Sequence, residues 1–347
     1  MLYTGIDMHS KWFTLWGFEK ETGEMFEQRK TNNDEESVRE LFSRLPGPRC
    51  GAMEAGTNAV AMHRLLAPYF TELIIVSANQ VWDRKRDTRA KTDRRDAEGL
   101  ALKLAKGELK PLFIPSDDLR EWQTLGRARI QVTQDVTRQT NRLYALARRW
   151  GYLDEKKLLT KKGRAWLDTL RLPDRAHQVL TTSLDNLETL QQREKVYDQA
   201  MAALVKEDPV CQLLMTIPFV GPFTAFILRS EIGDISRFKR ADQLISYSGL
   251  NPRVFQSGDL VRYGQLSKAG NAFLRYVAVL YATNCLKGKK DTPFKRRYYR
   301  LCHLHDKNEI KVKLARDFIA VVHSMWTKQS VWHDDRQDIR AKSSSVA

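Results

Sequence analysis

Cysteine is scarce in this chain: four residues, Cys50, Cys211, Cys285 and Cys302, are spread over 347 positions. Their separations are not those of zinc ligands, so we expect buried or free thiols in a reducing compartment rather than disulfide bonds. A run of about 18 uncharged apolar residues, which a membrane span needs, is also missing. The N-terminus has no basic-then-apolar leader, so the sequence predicts a cytoplasmic protein that does not enter a membrane.

Negative charge is in deficit. The chain has 58 Lys and Arg residues against 42 Asp and Glu residues, which gives a net charge of +16. A surplus of this size in a chain with 42% hydrophobic residues indicates a polyanion as partner. The length predicts two or three domains, each able to bury a core of its own.

The first third of the chain alternates strand and helix signals. Three predicted strands, 2–7, 12–19 and 24–30, come first, and helices and short apolar strands then alternate as far as a helix over 93–107. This order of elements is typical of a ribonuclease-H-like α/β domain. We assign residues 1–112 to it.

The middle of the chain carries two heptad patterns. Seven of nine core positions from Trp122 to Trp150 are apolar, and so are six of eight from Leu180 to Leu204. Such seams predict two long helices that form an antiparallel hairpin, within a helical domain over 113–207. An ordinary bundle inside one subunit and a coiled coil that mediates dimerisation both remain open, because heptads do not choose the partner.

Residues 208–330 are predicted to form a mostly helical third domain, followed by a polar tail over 331–347. Near its start, Ile217-Pro218-x-Val220-Gly221 between two helices resembles the hairpin of helix-hairpin-helix DNA-binding modules. In those modules glycine permits a tight turn, and backbone N–H groups at the next helix start face a phosphate. Gly221 is therefore a candidate nucleic-acid contact.

Four carboxylates of the first domain stand at predicted strand ends and on one face of a predicted helix. Asp7 and Glu54 end predicted strands, and Asp93 and Asp96 stand three residues apart on one face of a predicted helix. Singly, each has an ordinary explanation, since strand-end acids are commonly solvated and Asp93 is a possible helix N-cap. Clustered acids repel one another, so the set favours a divalent cation, and Mg²⁺ suits oxygen ligands. Three other acids remain possible substitutes for one of the four: Asp83, Asp87 and Glu98.

The third domain offers a serine as a second reactive candidate. Ser257 precedes Gly258, where a backbone can approach a ligand closely, although Ser-Gly pairs usually mark turns. Ser248 and Ser267 are comparable candidates, and Ser267 is also a possible cap of the next helix. No histidine is close in sequence, so a serine nucleophile needs help from elsewhere, and the acidic metal site is the obvious source.

Basic residues surround the acids and recur in the third domain. Those predicted to bind a phosphate backbone beside the metal site are Arg84, Lys85, Arg86, Arg89, Lys91, Arg94 and Arg95. Lys268 and Arg275 are further candidates for nucleic-acid contact. A second basic stretch over 287–300 carries Tyr298 and Tyr299, for which a place in the core is favoured over stacking on bases.

Five motifs together resemble one family. They are Gly5-Ile6-Asp7, Met53-Glu54-Ala55, Lys91-Thr92-Asp93-x-x-Asp96-Ala97, Ile217-Pro218-x-Val220-Gly221-Pro222 and Gln256-Ser257-Gly258. In this order they resemble the bacterial insertion-sequence transposases that have a RuvC-like acidic tetrad and a C-terminal serine domain, the bridge-RNA-guided recombinases. The resemblance covers about residues 2–325.

The resemblance implies a mechanism and partners. Asp7, Glu54, Asp93 and Asp96 would hold Mg²⁺, and Ser257 would attack a DNA phosphate to give a covalent phosphoserine. The active site would be completed between subunits of a dimer or tetramer, in the cytoplasm and at the nucleoid when acting. A structured RNA would pair with donor and target DNA, so that the protein reads backbone and shape rather than base sequence.

Three hypotheses follow. The first is an RNA-guided DNA recombinase that moves its own mobile element with Mg²⁺ and a serine nucleophile. The second is a RuvC-like structure-specific nuclease that uses metal-activated water. The third is a nucleic-acid-binding scaffold whose acids are structural.

Overall fold

A computed structural model of the chain describes residues 1–81, 92–153, 158–257 and 260–334, without the side chains of 29, 254–257 and 260–263. Its internal contacts divide the chain into two compact units, Met1–Pro115 and Ser116–Ala347. The first unit is mixed α/β and the second is mostly helical, as the sequence predicts. In the described parts of the chain, every helix is too short or too polar to cross a membrane.

A five-stranded sheet forms the centre of the first unit. Its strands are β1 (Leu2–Met8), β2 (Trp12–Glu19), β3 (Met25–Asn32), β4 (Arg49–Glu54) and β5 (Glu72–Val76). They lie in the order β3-β2-β1-β4-β5. The first three strands are antiparallel, whereas β4 is parallel to both β1 and β5. The carboxyl ends of β1, β4 and β5 therefore meet at one edge of the sheet.

Helices cover both faces of this sheet. They are α1 (Glu35–Arg44), α2 (Ala59–Leu66), α3 (Ala78–Val81) and α4 (Asp93–Ala105), with a 3₁₀ turn at Ala67–Tyr69. Ile6 and Met53 pack into one core with side chains of α1 and α2. Ala52 lies in a separate core with Leu100 of α4. Since side chains alternate along a strand, the residues on either side of Ile6 and Met53 face α4.

Gly5 sets how closely α4 approaches the sheet. A Cβ atom on Gly5 would lie 1.9 Å from the backbone oxygen of Ala97 and 2.8 Å from Cβ of Leu100. Ala97 is fully buried at this contact. The glycine thus allows the helix backbone to rest directly on β1, one turn after Asp93 and directly after Asp96.

The second unit begins with two long helices. Its helices are α5 (Asp117–Arg149), α6 (Lys161–Asp168), α7 (Asp174–Glu207), α8 (Pro209–Met215), α9 (Pro222–Ile232), α10 (Ala241–Tyr247), α11 (Ala272–Lys287), α12 (Pro293–Leu301) and α13 (Lys307–Lys328). Arg129 of α5 bonds to Asp198 of α7, and Gln139 bonds to the Ser183 carbonyl. Contacts that move down one helix as they move up the other confirm the antiparallel hairpin.

Helices α8 to α13 share one large core with the base of this hairpin, where Ile130 and Met201 pack against them, whereas Leu167 of α6 packs in a separate core with Leu143 and Leu187. The finer division of the second unit at residue 208 stays a prediction. A two-stranded hairpin, β6 (Pro252–Ser257) and β7 (Leu260–Leu266), stands between α10 and α11. The sequence indicated only a glycine-punctuated segment here.

The turn between α8 and α9 differs from expectation in one detail. Its left-handed residue is Phe219, with φ +68°, whereas Gly221 has φ −100° and is the N-cap of α9. Phe219, not Gly221, therefore supplies the positive φ of this turn. The Phe219 ring instead packs on Gly288, where an added Cβ would lie 2.1 Å from the ring.

The close approach at Gly5 yields a stability prediction. We expect Gly5→Ala to lower the free energy of unfolding by about 1–3 kcal/mol, because the helix backbone must move to admit the methyl group. Gly99 lies in the middle of the same helix with open space around its Cβ position. Gly99→Ala should therefore raise stability by about 0.5–1 kcal/mol. Urea unfolding of both variants, followed by tryptophan fluorescence, measures the contrast, and equal effects would contradict the packing argument.

Candidate active site

The carboxyl edge of the sheet holds two of the predicted acids. Asp7 is the next residue after Ile6 on β1, and Glu54 is the next after Met53 on the parallel strand β4, where Ile6 is in register with Met53. Both acids alternate with residues of the α1–α2 core, so they point toward the α4 side of the sheet. Asp7 is mostly shielded, with 17% of its side chain exposed.

The start of α4 brings the other two acids to the same face. Thr92 is the N-cap, since its side-chain oxygen accepts from the Arg95 amide, so the alternative in which Asp93 caps the helix is wrong. Asp93 and Asp96 lie in the first turn. Asp96 is only 6% exposed, an unusual position for a carboxylate that serves only the helix dipole.

A histidine connects Asp7 with Asp93. The Nε2 atom of His9 lies 3.6 Å from an oxygen of Asp7 and 3.2 Å from an oxygen of Asp93. One donor atom from each of the three side chains lies within 4.8 Å of the others. Analysis of the sequence missed His9, although its place two residues after a strand-end aspartate is the signal that would have pointed to it.

Neighbouring groups fix the position of His9. Its backbone N–H donates to the Trp12 carbonyl at 2.9 Å, and its carbonyl accepts from the Asn33 amide group at 3.1 Å. The Trp12 ring lies against the imidazole, with ring centroids 3.7 Å apart. The histidine is thus held at the turn between β1 and β2, with Nε2 directed at the acids.

This donor set fits a divalent cation. Two carboxylates with an imidazole nitrogen are a common ligand combination for divalent metals, and a cation relieves the repulsion between the acids. The structure therefore shows a possible Asp/His metal site at Asp7, His9 and Asp93. Glu54 stands at the same sheet edge and Asp96 in the same helical turn as Asp93. The roles of all four acids as ligands stay predictions.

Of the cations predicted to bind phosphate near the acids, the structure describes two, and both lie beside this site. Arg94 and Arg95 are exposed at the start of α4, and Arg94 also forms an ion pair with Glu27 of β3 at 3.1 Å. The other five, Arg84, Lys85, Arg86, Arg89 and Lys91, lie outside the described residues, as do Asp83 and Asp87.

The candidate serine lies at the end of a strand in the second unit. Ser257 is the last residue of β6 and pairs with Leu260, the first residue of β7, so the backbone places it at the tip of the hairpin. Its side chain lies outside the described residues. Ser248, by contrast, is fully buried and its hydroxyl donates to the Ile245 carbonyl, so it is a structural residue.

The base of the hairpin is tied to the helices. Arg275 of α11 donates to the carbonyls of Ser248 and Lys268, which flank the two strands. Gly249 admits this guanidinium, because a Cβ there would lie 2.4 Å from it. Arg275 thus has a structural use beside its predicted contact with nucleic acid, and Lys268 is exposed with φ +52°.

A buried carboxylate, paired with a half-exposed arginine, supports the same region. Asn271, not Ser267, caps α11, since its side-chain oxygen accepts from the Phe273 and Leu274 amides. Its side-chain amide donates at 2.7 Å to Glu231, which is 1% exposed and paired with Arg127 at 2.7 and 2.9 Å. The bond to Glu231 raises the pKa of Arg127. This network links α5, α9 and α11 beneath the hairpin.

Basic residues of α12 are largely engaged within the fold. Arg297 pairs with Asp317 of α13 at 2.9 Å, and Arg296 pairs with Asp291 and Asp334. Tyr298 packs against the core, as predicted, but the same prediction is wrong for Tyr299, which is 59% exposed.

Two family models match the chain, in order and over more than half of its length. Residues 4–150 match the DEDD transposase model of IS110, and residues 211–300 match the transposase model of the IS116/IS110/IS902 family. The first match contains all four predicted acids, and the second contains Ser257.

Individual relatives agree with these matches. The chain is 30% identical over 251 residues to y4qE of Sinorhizobium fredii, which carries the provisional name of transposase; the match covers 72% of the chain and 61% of that relative. It is 25% identical over 318 residues, 85% of the chain, to a protein of Pseudomonas aeruginosa provisionally named as a family 20 transposase, of which 88% is covered. It is 24% identical over 253 residues, 70% of the chain, to the transposase for insertion sequence element IS1111A of Coxiella burnetii, of which 68% is covered.

The site predicts stabilisation by divalent ions. A ligand that binds only the folded protein adds about 2.7 kcal/mol at 100 times its Kd. We expect Mg²⁺ or Mn²⁺ to raise the thermal unfolding midpoint of the wild-type chain, and we expect Asp7→Asn to remove most of this shift. Glu108→Gln, an exposed acid just beyond α4, serves as the control. An equal shift in both variants would place the bound ion elsewhere.

Proposed function

Because the chain belongs to the IS116/IS110/IS902 family of transposases, we propose that it cuts and rejoins DNA strands of a mobile element with a divalent cation and a serine nucleophile. The DEDD domain of the family model indicates use of a divalent metal and DNA as substrate. A transposase fits this domain better than the nuclease that uses metal-activated water. We also propose that Mg²⁺ is the ion used in the reaction, that a serine is the nucleophile and that an RNA guides the protein.

One observation carries the proposal. Asp7 and Asp93, which are 86 residues apart in sequence, converge on the Nε2 atom of His9 at the carboxyl edge of the sheet. Convergence of acids from a strand and a helix puts unfavourable like charges together, which an intracellular cation offsets. The scaffold hypothesis, in which the acids are structural, gives no reason for this arrangement.

The acids have separate tasks in the proposed reaction. Asp7 and Asp93 hold the cation at the open side of the site, with Asp93 47% exposed to an approaching phosphate. Asp96, buried beneath them, and Glu54 on the neighbouring strand complete the negative charge that attracts the cation. A bound divalent ion supplies Lewis-acid stabilisation of the charge that develops on the phosphate.

Ser257 supplies the nucleophile in this proposal. Its oxygen forms a bond to a DNA phosphorus, the phosphorus–oxygen bond to the leaving strand breaks, and a base takes the hydroxyl proton. The backbone of Ser257 lies at the tip of the β6–β7 hairpin, and Arg275 holds the opposite end of that hairpin. This position suits a group that must reach a bulky duplex. The reaction is proposed to take place in a dimer or tetramer of the chain.

Nucleic-acid binding follows from charge rather than from a reading motif. The net charge of +16 and the exposed Arg94 and Arg95 beside the acids favour contact with phosphate backbones. We propose that a structured RNA supplies the sequence specificity by pairing with donor and target DNA. Gly221, Lys268 and Arg275 remain proposed contacts to the same backbones.

Two substitutions separate the proposed mechanism from its rivals. We expect Asp96→Asn to abolish strand cleavage in cells that carry the element, because one charge of the metal site is lost. Ser257→Ala should abolish both cleavage and the covalent protein–DNA adduct. Ser267→Ala, which alters the rival candidate at the other end of the hairpin, should leave both intact.

The outcomes are distinct for each hypothesis. Cleavage without an adduct in Ser257→Ala would favour a nuclease with metal-activated water. Cleavage that persists in Asp96→Asn, with the protein folded, would show that this acid is not catalytic.

RNA guidance predicts a bound RNA. The chain purified from cells that carry its complete element should retain one discrete RNA transcribed from DNA beside the coding region, and the complex should weaken steeply with salt. Sequencing of the co-purified RNA makes the measurement. Recovery of only a random sample of cellular RNA would contradict guidance while leaving the metal site untouched.

A further inference from the structure

The distances around His9 match those between neighbouring ligands of one ion. Two adjacent ligands of an octahedral ion bound at about 2.1 Å lie about 3 Å apart. The His9 Nε2 atom is 3.2 Å from Asp93 and 3.6 Å from Asp7, close to that separation. The three donor atoms, all within 4.8 Å of one another, are therefore close enough to bind one ion.

Contacts with neighbouring residues hold the His9 ring in one orientation. The backbone is fixed on both sides, by Trp12 and by Asn33, and the Trp12 ring restricts rotation of the imidazole. The ammonium group of Lys30 lies over the Trp12 ring, 5.7 Å from the ring centroid. A ligand that is already oriented loses little conformational entropy when it binds a metal.

We propose that His9 is a third protein ligand of the metal site and that its nitrogen makes the site prefer Mn²⁺ over Mg²⁺. The inference rests on the proposed metal site and goes beyond it, because the acidic tetrad alone offers only oxygen. The nitrogen is what distinguishes this site from an all-carboxylate one.

The preference follows from ligand chemistry. Mg²⁺ is a hard cation that favours oxygen and keeps much of its water, so an imidazole adds little to its affinity. Mn²⁺ also takes carboxylate and water oxygens, but as a transition metal it bonds an imidazole nitrogen more readily than Mg²⁺ does. A site with two carboxylates and one imidazole should therefore discriminate between the ions more strongly than one with three carboxylates.

A purely structural histidine makes different predictions. If His9 only bridges Asp7 and Asp93 by hydrogen bonds, its nitrogen has no magnetic contact with a bound ion. Removal of the imidazole would then weaken the binding of Mn²⁺ and the binding of Mg²⁺ by the same factor. Spectroscopy and the ratio of the two affinities separate these cases.

The test uses Mn²⁺ as its own probe on the full chain. In the wild type we expect ¹⁴N modulation of the Mn²⁺ electron spin echo, a direct sign of a coordinated imidazole. His9→Ala should lose the modulation and should weaken Mn²⁺ binding on the order of tenfold or more, since loss of even a supporting group of a metal ligand costs that much. His177→Ala, an exposed histidine of α7, is the matched control and should retain both signals.

A second variant covers the case in which His9→Ala disturbs the fold. His9→Asp restores a ligand but supplies oxygen, so it should bind Mn²⁺ and Mg²⁺ with a ratio of Kd values closer to one than the wild type. Competition of Mg²⁺ against bound Mn²⁺ gives that ratio directly. The same ratio in wild type and His9→Asp would overturn the proposed preference.

The outcomes also separate this inference from the metal site itself. If Mn²⁺ binds and Asp7→Asn abolishes binding, but the wild type shows no ¹⁴N modulation, the acids form the site and His9 is not a ligand. If Mn²⁺ does not bind the wild type at this site, both the metal site and the role of His9 are overturned.

Discussion

The first unit depends on the contact between a glycine in the central strand and the backbone of α4. Gly5 has no Cβ, and the Ala97 carbonyl occupies the space where one would be. Asp7 lies two residues further along the same face of β1, and Asp93 lies one helical turn before Ala97. Because the rise per residue is fixed in both elements, the close approach at Gly5 brings the two carboxylates together at the edge. A larger residue would separate the helix and the strand, and with them the two halves of the site.

The site combines a costly arrangement with a rigid support. Like charges at Asp7 and Asp93 oppose the packing of α4, and the Thr92 cap and the buried Ala97 and Leu100 contacts hold the helix in place. A preformed site of this kind binds a cation without a large rearrangement. In the proposed metal site, a bound ion would therefore recover the free energy that folding loses to charge repulsion.

The sequence predicted the elements better than the contacts between them. The first three strands and α4 end close to their predicted bounds, and the two heptad patterns fall on α5 and α7, because apolar spacing reports directly on burial. The β6–β7 hairpin was missed, since its glycines and polar residues resemble a loop. His9 was missed for a different reason. Its importance depends on Asp93, and no local pattern states which residues a fold will bring together. The caps show the same limit: Thr92 and Asn271 take the role that local sequence also allowed for Asp93 and Ser267.

The acids of the candidate metal site and Ser257 are held in place by different kinds of structure, and the difference follows from their chemistry. Acids that share an ion must keep their spacing, and a sheet edge covered by a helix provides it. A nucleophile must meet a large substrate, and the backbone of Ser257 lies at the tip of a two-stranded hairpin. An isolated hairpin is only marginally stable, so its base must be held by other elements. Arg275 holds it through backbone carbonyls, and Asn271 joins the start of α11 to the Glu231–Arg127 pair. Glu231 is 1% exposed and is the shared partner of Asn271 and Arg127, so its loss would leave both side chains without that partner at the start of α11.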